Sequence, residues 1–282
     1  MKNLNQREAS ILSTLSGSDR KIFSFDDVFD LLKTSRNGTA KFLSVLVSKG
    51  WLRSIEKGKY LIIPLEAGPE RKWSEEAFVV ASHLVDPYAI SYWSALNYWG
   101  FTEQIPQTVF VSSTKRRFKP ETEALGVSFK FVVLPEKKFF GFTNIWFGSK
   151  KVQITDKEKT IVDCLDRSEY CGGIIEAAKG LVNGIEVGIN LETLTAYAER
   201  LNNSTVLKRL GYLSEVFDLP IQDFSDKWRE RIGSGYSLLD PGRGVAQSKY
   251  YSKWNLRLNV SVDELTNWRE HSSEIKKLVY IG

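Results

Sequence analysis

Thr34-Ser35-Arg36-Asn37-Gly38-Thr39-Ala40-Lys41-Phe42-Leu43-Ser44-Val45-Leu46-Val47-Ser48-Lys49-Gly50 decides how the first quarter of the chain folds. Thr34-Ser35-Arg36-Asn37 opens a helix, because a small polar side chain can accept from a free N–H of the first turn. Gly50 ends it, as a residue suited to a left-handed C-terminal position. Wound at about 100° per residue, Ala40, Leu43, Leu46 and Val47 gather on one side. Asn37, Lys41, Ser44 and Ser48 gather on the other, with Gly38 beside them, and this side carries no acid. Such a helix packs by its apolar side and offers hydrogen-bonding groups by the other. In a recognition helix the N-terminal residues reach base edges, and a glycine there allows close backbone approach.

Working outward, Gln6 to Leu15 reads as a helix with Ala9, Ile11, Leu12 and Leu15 apolar. Ser24-Phe25-Asp26-Asp27 opens a second, whose two aspartates suit the positive end of the helix dipole. Beyond Gly50, Trp51 to Ile55 and Lys59 to Ile63 read as strands joined by a Glu56-Lys57-Gly58 turn. Three helices followed by a basic hairpin is the winged helix-turn-helix order. The expected DNA contacts are Thr34, Ser35, Arg36, Asn37, Thr39, Lys41 and Ser44 from the third helix, and Arg53, Lys57 and Lys59 from the hairpin. Asn37 and Ser35 are the candidates for base readout, and the cations for phosphates.

The charge agrees. Residues 1–65 carry 11 Lys and Arg against 6 Asp and Glu, so this quarter holds an excess equal to the whole chain's +5. A compact basic unit on a neutral body is the electrostatic footprint of a nucleic-acid reader, since Lys and Arg displace condensed counterions from phosphates.

Pro64-Leu65-Glu66-Ala67-Gly68-Pro69-Glu70-Arg71-Lys72 breaks both periodicities and marks a boundary. The expected units are 1–66, the winged helix-turn-helix, and 67–282. In the second unit, residues 74–84 and 91–98 read as helices, and 107–112, 127–134, 144–147 and 152–154 as strands. A mostly helical run follows: 156–166, 172–183, 190–202, 204–217 and 222–231. Residues 254–260 alternate as a strand, and Ser261 begins a last helix. Strands first and helices later make the expected class α+β, an N-terminal winged helix-turn-helix followed by a larger mixed α/β C-terminal domain. A second basic cluster lies at Lys115, Arg116, Arg117, Lys119, Lys130, Lys137, Lys138, Lys150 and Lys151, opposed by Glu121, Glu123 and Glu136. It reads either as a second nucleic-acid or acidic-partner surface or as a lysine-guarded sheet edge.

Several chemistries lack their residues. The only histidines, His83 and His271, are far apart, and Cys164 and Cys171 have C-x6-C spacing, so neither a zinc site nor a hydrolase triad is supported. No G-x-x-x-x-G-K-[ST] is present. No cofactor, bound metal or catalytic residue is expected. No window reaches the ~18 apolar residues of a membrane span, and the N-terminus lacks a secretory signal's apolar stretch, so a cytoplasmic protein with reduced thiols and no membrane partner is expected. The densest charged motif is Thr155-Asp156-Lys157-Glu158-Lys159-Thr160, with Asp163 and Asp166 following. One reading makes Asp156, Glu158 and Asp163 the acids of a metal-dependent nuclease or nucleotide transferase. The favoured reading is structural: Thr155 caps a helix, Asp156 and Glu158 complement its dipole, and Ile161, Val162 and Leu165 are buried.

Further stretches carry a resemblance. They are Tyr88-Ala89-Ile90-Ser91-Tyr92-Trp93-Ser94-Ala95-Leu96, then Trp99-Gly100-Phe101-Thr102-Glu103-Gln104-Ile105-Pro106, then Val109-Phe110-Val111 with Lys115-Arg116-Arg117. Next come Ile154 through Asp163, Arg209-Leu210-Gly211-Tyr212-Leu213, Leu239-Asp240-Pro241 and Trp254-Asn255-Leu256. With Lys33-Thr34-Ser35, Gly50-Trp51-Leu52 and Lys57-Gly58-Lys59-Tyr60, the ordered set resembles the AbiEi family of antitoxins from abortive-infection, type IV toxin–antitoxin systems. The resemblance spans residues 28–260. It implies a non-enzymatic transcriptional regulator that binds inverted repeats in the double-stranded DNA of its own promoter and represses its operon. It also implies that the C-terminal domain counters a nucleotidyltransferase-type toxin. A pure protein-binding module, in which the larger domain grips a toxin and DNA binding is secondary, is a further alternative. Ala246-Gln247-Ser248-Lys249-Tyr250-Tyr251 departs from the family pattern.

Overall fold

A computed structural model describes residues 3–17, 22–63, 76–117 and 119–269. Its first unit runs α1 (Gln6–Gly17), β1 (Ile22–Ser24), α2 (Phe25–Leu32), α3 (Arg36–Ser48), β2 (Leu52–Glu56) and β3 (Lys59–Ile62). Local chemistry sets the helix ends. Ser24 accepts from the Asp27 N–H while the Asp27 carboxylate accepts from the Ser24 N–H, a reciprocal capping box. Ser35 caps α3 by accepting from the Gly38 N–H at 3.1 Å. At the far end of α3, Gly50 has φ of 77°. There the Trp51 N–H donates to the Leu46 carbonyl and the Gly50 N–H to the Val47 carbonyl, which satisfies the last turn. The strands form an antiparallel sheet in the order β1-β3-β2. Val28, Leu43 and Leu46 are fully buried with Leu12, Leu15, Phe23 and Leu52 in this unit's core. Each such side chain contributes roughly 1.5–3 kcal/mol by leaving water.

The second unit begins with α4 (Ala77–Leu84), β4 (Ala89–Ile90), α5 (Tyr92–Tyr98), β5 (Thr108–Ser113), β6 (Glu121–Ala124), β7 (Val127–Val133), β8 (Phe142–Phe147) and β9 (Lys150–Thr155). These strands form one mixed sheet, β6-β7-β5-β4-β9-β8. β5 pairs parallel with β7, β4 parallel with β9, and the other neighbours antiparallel. Helices α6 (Lys157–Asp166), α7 (Ile174–Glu186), α8 (Leu191–Arg200), α9 (Ser204–Val216) and α10 (Gln222–Arg231) follow. A small sheet, β10 (Ser237–Leu238), β11 (Lys249–Tyr251) and β12 (Leu256–Leu258), and a helix over 262–269 complete the described chain.

Period-two alternation explains the layering. Val109, Val111, Phe129 and Phe131 point to one face of the large sheet, where they join α4 residues Val79, Val80 and Leu84. Phe110 and Val132 point to the other, where they join the helical layer of α5 to α9. The first face also receives Ile22, Ile55, Leu61 and Ile63. The hairpin of the first unit therefore shares a core with the body. The mixed α/β content and the strand-then-helix order agree with an α+β chain. No helix among the described residues is long and apolar enough to cross a membrane.

Two expectations are corrected. Ala40 and Val47 are exposed, and Thr39 takes the inner position of α3 at 0% exposure with Leu43 and Leu46. Thr39 lies four residues before Leu43 and seven before Leu46, on the stripe both define, whereas Ala40 lies six before Leu46, off it, and has too little apolar area to turn the helix. The Thr39 hydroxyl donates to the Ser35 carbonyl at 3.2 Å, which removes the cost of burying it. Second, Asp156 and not Thr155 caps α6, because its carboxylate reaches the Lys159 N–H at 2.8 Å. Strands β1, β4, β6, β10 and β11 are additions to the sequence reading. The 64–72 boundary segment and His271 lie outside the described residues.

Candidate nucleic-acid interface

Helix α3 holds no Asp or Glu along its length. Arg36, Asn37, Ala40, Lys41, Ser44 and Ser48 are all exposed on it, so the polar face expected from the sequence stands in water. Its inner face is held by Thr39, Leu43 and Leu46. Gly38 has a local role as well as an open position. A Cβ there would press to 3.1 Å from Thr34 Oγ1 and 3.3 Å from Ser35 Oγ, against the side chain that caps the helix.

The ten expected contacts differ in what the fold leaves free. Thr34, Asn37, Lys41, Ser44 and Lys57 are exposed, and these side chains are offered to solvent. Ser35 is exposed, but its oxygen is committed to the helix cap. Arg36 leans back over α2: its guanidinium lies 5.1 Å and 5.4 Å from the Phe25 and Phe29 ring centroids and pairs with Asp26 at 3.1 Å. Arg53 is half-buried in β2. Two expected contacts are corrected. Thr39 is interior. Lys59 turns away to the body, where its ammonium donates to the His83 and Leu84 carbonyls and pairs with Glu56 at 3.1 Å.

Gly58, at φ of 81°, lets the hairpin turn tightly, and its carbonyl accepts from the Phe25 N–H at 2.7 Å. The hairpin is thus tied to α2, and through Lys59 to the end of α4. Glu56 completes the strut by pairing with Arg117 as well as Lys59. Arg117 also donates to the Leu84 carbonyl and stacks 4.2 Å from the Phe131 ring centroid.

Arg117 therefore leaves the expected second basic surface and becomes an internal brace. Its neighbours Lys115 and Arg116, and Lys119 beyond them, remain exposed. The brace holds the 115–117 segment beside the hairpin that carries Lys57. Lys138 is likewise diverted, pairing with Asp166 at 2.9 Å, and Lys130 pairs with Glu121 at 2.8 Å. Lys137 is exposed, Lys150 half-buried, and Lys151 exposed opposite Trp146 on the β8–β9 ladder. The nine cations do not form one array. Sequence spacing missed this for Arg117 and Lys138, because their counter-charges, Glu56 and Asp166, come from distant segments.

The acidic motif of α6 is dispersed into separate jobs. Asp156 caps the helix and accepts from the Tyr197 hydroxyl at 3.0 Å. Burial, opposed by the Lys159 N–H and Tyr197 hydrogen bonds, leaves the Asp156 carboxyl above its ordinary range. Glu158 accepts from the Asn190 N–H at 2.8 Å, at the start of α8. Asp163 lies in the core and pairs with buried Lys159. Burial raises its pKa even against that ammonium, and its second oxygen has no partner among the described residues. Among the described residues no group of three or more His, Cys, Asp or Glu is placed to hold a metal ion.

No family model matches the chain, and no curated protein sequence does. The fold is similar to the crystal structure of the RV2827C protein from Mycobacterium tuberculosis. The TM-score is 0.68 at 14% identity, over 96% of this chain and 97% of that one. At that identity the likeness is one of fold.

Proposed function

We propose that the first unit is a winged helix-turn-helix, and that the protein is a non-enzymatic repressor of its own promoter in a toxin–antitoxin pair. The observation that carries the DNA-binding half is the outer face of α3. Asn37, Lys41 and Ser44 stand in water on a helix free of acids, with Lys57 exposed at the tip of the adjoining hairpin. The helix–strand order, with a three-stranded sheet β1-β3-β2 beside α2 and α3, supports the same reading. Asn37 suits bidentate pairing to adenine in the major groove, while Lys41 and Lys57 suit phosphates. Lys115 and Arg116, held beside the hairpin, extend the phosphate-binding edge onto the body. The partner is double-stranded DNA carrying inverted repeats.

A gel shift on the protein's own upstream DNA tests this. A discrete shift at moderate salt, lost in a Lys41→Glu/Lys57→Glu variant that still folds, is expected. Absence of any shift, or a shift indifferent to both substitutions, rejects it. The antitoxin half rests on the AbiEi resemblance. Its test is growth rescue on co-expression with a neighbouring nucleotidyltransferase-like gene product. Rescue by a variant that no longer binds DNA separates neutralisation from DNA binding and agrees with an antitoxin role for the C-terminal domain, residues 67–282. Toxicity unrelieved by the intact protein rejects the antitoxin reading.

A further inference from the structure

We propose that the outer face of the small sheet β10-β12-β11 binds single-stranded nucleic acid, with Tyr236 and Tyr250 stacking on bases and Arg257 meeting the backbone. This site is separate from α3 and does not rest on the duplex-binding reading above. The inner face of the sheet is core: Leu239 and Leu256 are fully buried, and Trp254 beside them is 1% exposed. The outer face is different in kind. Tyr250 lies directly across from Arg257 in the antiparallel register, and Arg257 is level with Leu238 on the parallel side. Tyr236, just before β10, meets Tyr250 over the central strand, ring centroids 4.9 Å apart and planes at 88°. These rings are 43% and 67% exposed, large aromatic surfaces that ordinary folding would cover.

The charge around the rings selects the occupant. The Arg257 guanidinium lies 5.3 Å from the Tyr250 ring centroid and donates to Ser248 Oγ at 2.9 and 3.1 Å, and among the described residues no carboxylate pairs with it. On the other flank of β10, α9 supplies Lys208 and Arg209, both buried. Lys208 donates to the Gly235 carbonyl. Arg209 donates to the Leu165 carbonyl and, at 3.0 Å, to the Leu238 carbonyl, while its Nε has no partner among the described residues. The nearest acids are already used. Asp166 is held by Lys138 and Asn203, Glu169 by Arg167, and Asp240 accepts from the Gly242 N–H. An open cleft beside β10 is lined by Lys138, Arg167 and Arg209 against Asp166 and Glu169.

Paired exposed aromatics on a small sheet, with the Arg257 guanidinium beside them and free of any carboxylate among the described residues, match a strand whose bases stack and whose phosphates run alongside. Three-residue strands present no protruding element for a duplex groove. A protein partner would need an apolar, water-excluded centre, and here the Tyr250 ring borders the polar Arg257–Ser248 pair.

The experiment is fluorescence anisotropy with end-labelled oligothymidine and oligouridine of about a dozen nucleotides, using the full chain at low salt. Binding that weakens with salt is expected. Tyr236→Ala with Tyr250→Ala should lower affinity by roughly tenfold or more. Tyr236→Phe with Tyr250→Phe, which keeps both rings, should retain it. Arg257→Gln should make the salt dependence shallower. Lys41→Glu/Lys57→Glu should leave single-strand binding in place, which separates failure here from failure of the duplex reading. No binding at low salt, or equal binding by the double alanine variant, overturns the proposal. So does loss in the phenylalanine pair as severe as in the alanine pair. A face that ignores oligonucleotides, but whose alanine variant loses a co-purifying protein, belongs to a protein interface and also overturns it.

Discussion

Helices α3 and α6 begin alike and end up opposite. Each is opened by a small polar cap, Ser35 or Asp156, and each carries charged or hydrogen-bonding side chains at helical spacing. On α3 those side chains face water, and only Thr39, Leu43 and Leu46 are buried. On α6 every residue from Lys159 to Leu165 is buried, the Lys159–Asp163 pair among them. The difference comes from what surrounds each helix. α3 packs by one side on α2 and the small sheet of its unit. α6 is covered by α5, α7, α8 and α9. A dense charged motif is therefore a weak guide to a site, and a sparse acid-free face on a one-sided helix is the better one.

The comparison can be broken most forcefully at the buried pair. Lys159→Met or Asp163→Leu alone leaves one charge in the core without its partner, and should cost about 3–5 kcal/mol in urea unfolding. The double substitution should cost clearly less than either single. Single variants within about 1 kcal/mol of the parent would mean that the pair is hydrated and α6 is not interior in the sense described.

On α3 the corresponding change should spare stability and strike binding. Lys41→Glu with Lys57→Glu should weaken duplex affinity by roughly a hundredfold at low salt, and make the salt dependence shallower by about two contacts, with thermal unfolding unchanged. A fall in stability instead would make these lysines structural. Asn37→Ala should cost about 1–3 kcal/mol on the preferred site and little on scrambled duplex. Equal losses on both sequences would assign Asn37 to the backbone rather than to a base.

The strut between the two regions offers a smaller test. Removing Arg117 or Glu56 by alanine should cost about 1–2 kcal/mol, and a double-mutant cycle should show them coupled. Independent, additive effects would mean that hairpin and body are joined by their apolar contacts alone.

The smallest expected effect is a pH dependence on the α6 side. Burial, and then the Asp156 carboxylate that accepts from it, push the Tyr197 phenol up to about 12. Its folded pKa is raised, so its contribution is fully present below its ordinary value of 10 and is lost as pH rises from there toward 12. Tyr197→Phe should flatten the unfolding curve in that window and leave neutral pH little changed. An unaltered alkaline slope would show that the phenol titrates freely.

Particular residues show why part of this was legible in advance. Ser24, Ser35, Gly50 and Gly58 act within four residues of themselves, so their turns and caps were readable from the chain. Most helices and long strands of the second unit were readable too, since Val109-Phe110-Val111 and Phe129 to Val133 carry the pattern of buried strands. Ala89-Ile90 was not. Two residues have no period, and β4 exists because β5 and β9 flank it. Among the candidate contacts, Asn37, Lys41, Ser44 and Lys57 stand exposed, whereas Thr39, Lys59 and Arg117 do not. Each of those three is claimed by a partner in the fold, and for Lys59 and Arg117 that partner comes from a distant segment.

The amino-acid order alone settled which stretches are helical, the caps of α2 and α3, the acid-free face of α3 and the basic bias of the first quarter. These depend on side chains acting on their own backbone and on summed charge. Tertiary structure alone decided the strand order of the six-stranded sheet, the phase of α3 by one residue, and which cations are left for a ligand. Those depend on long-range pairing, where burial and counter-charge are supplied by segments tens of residues away.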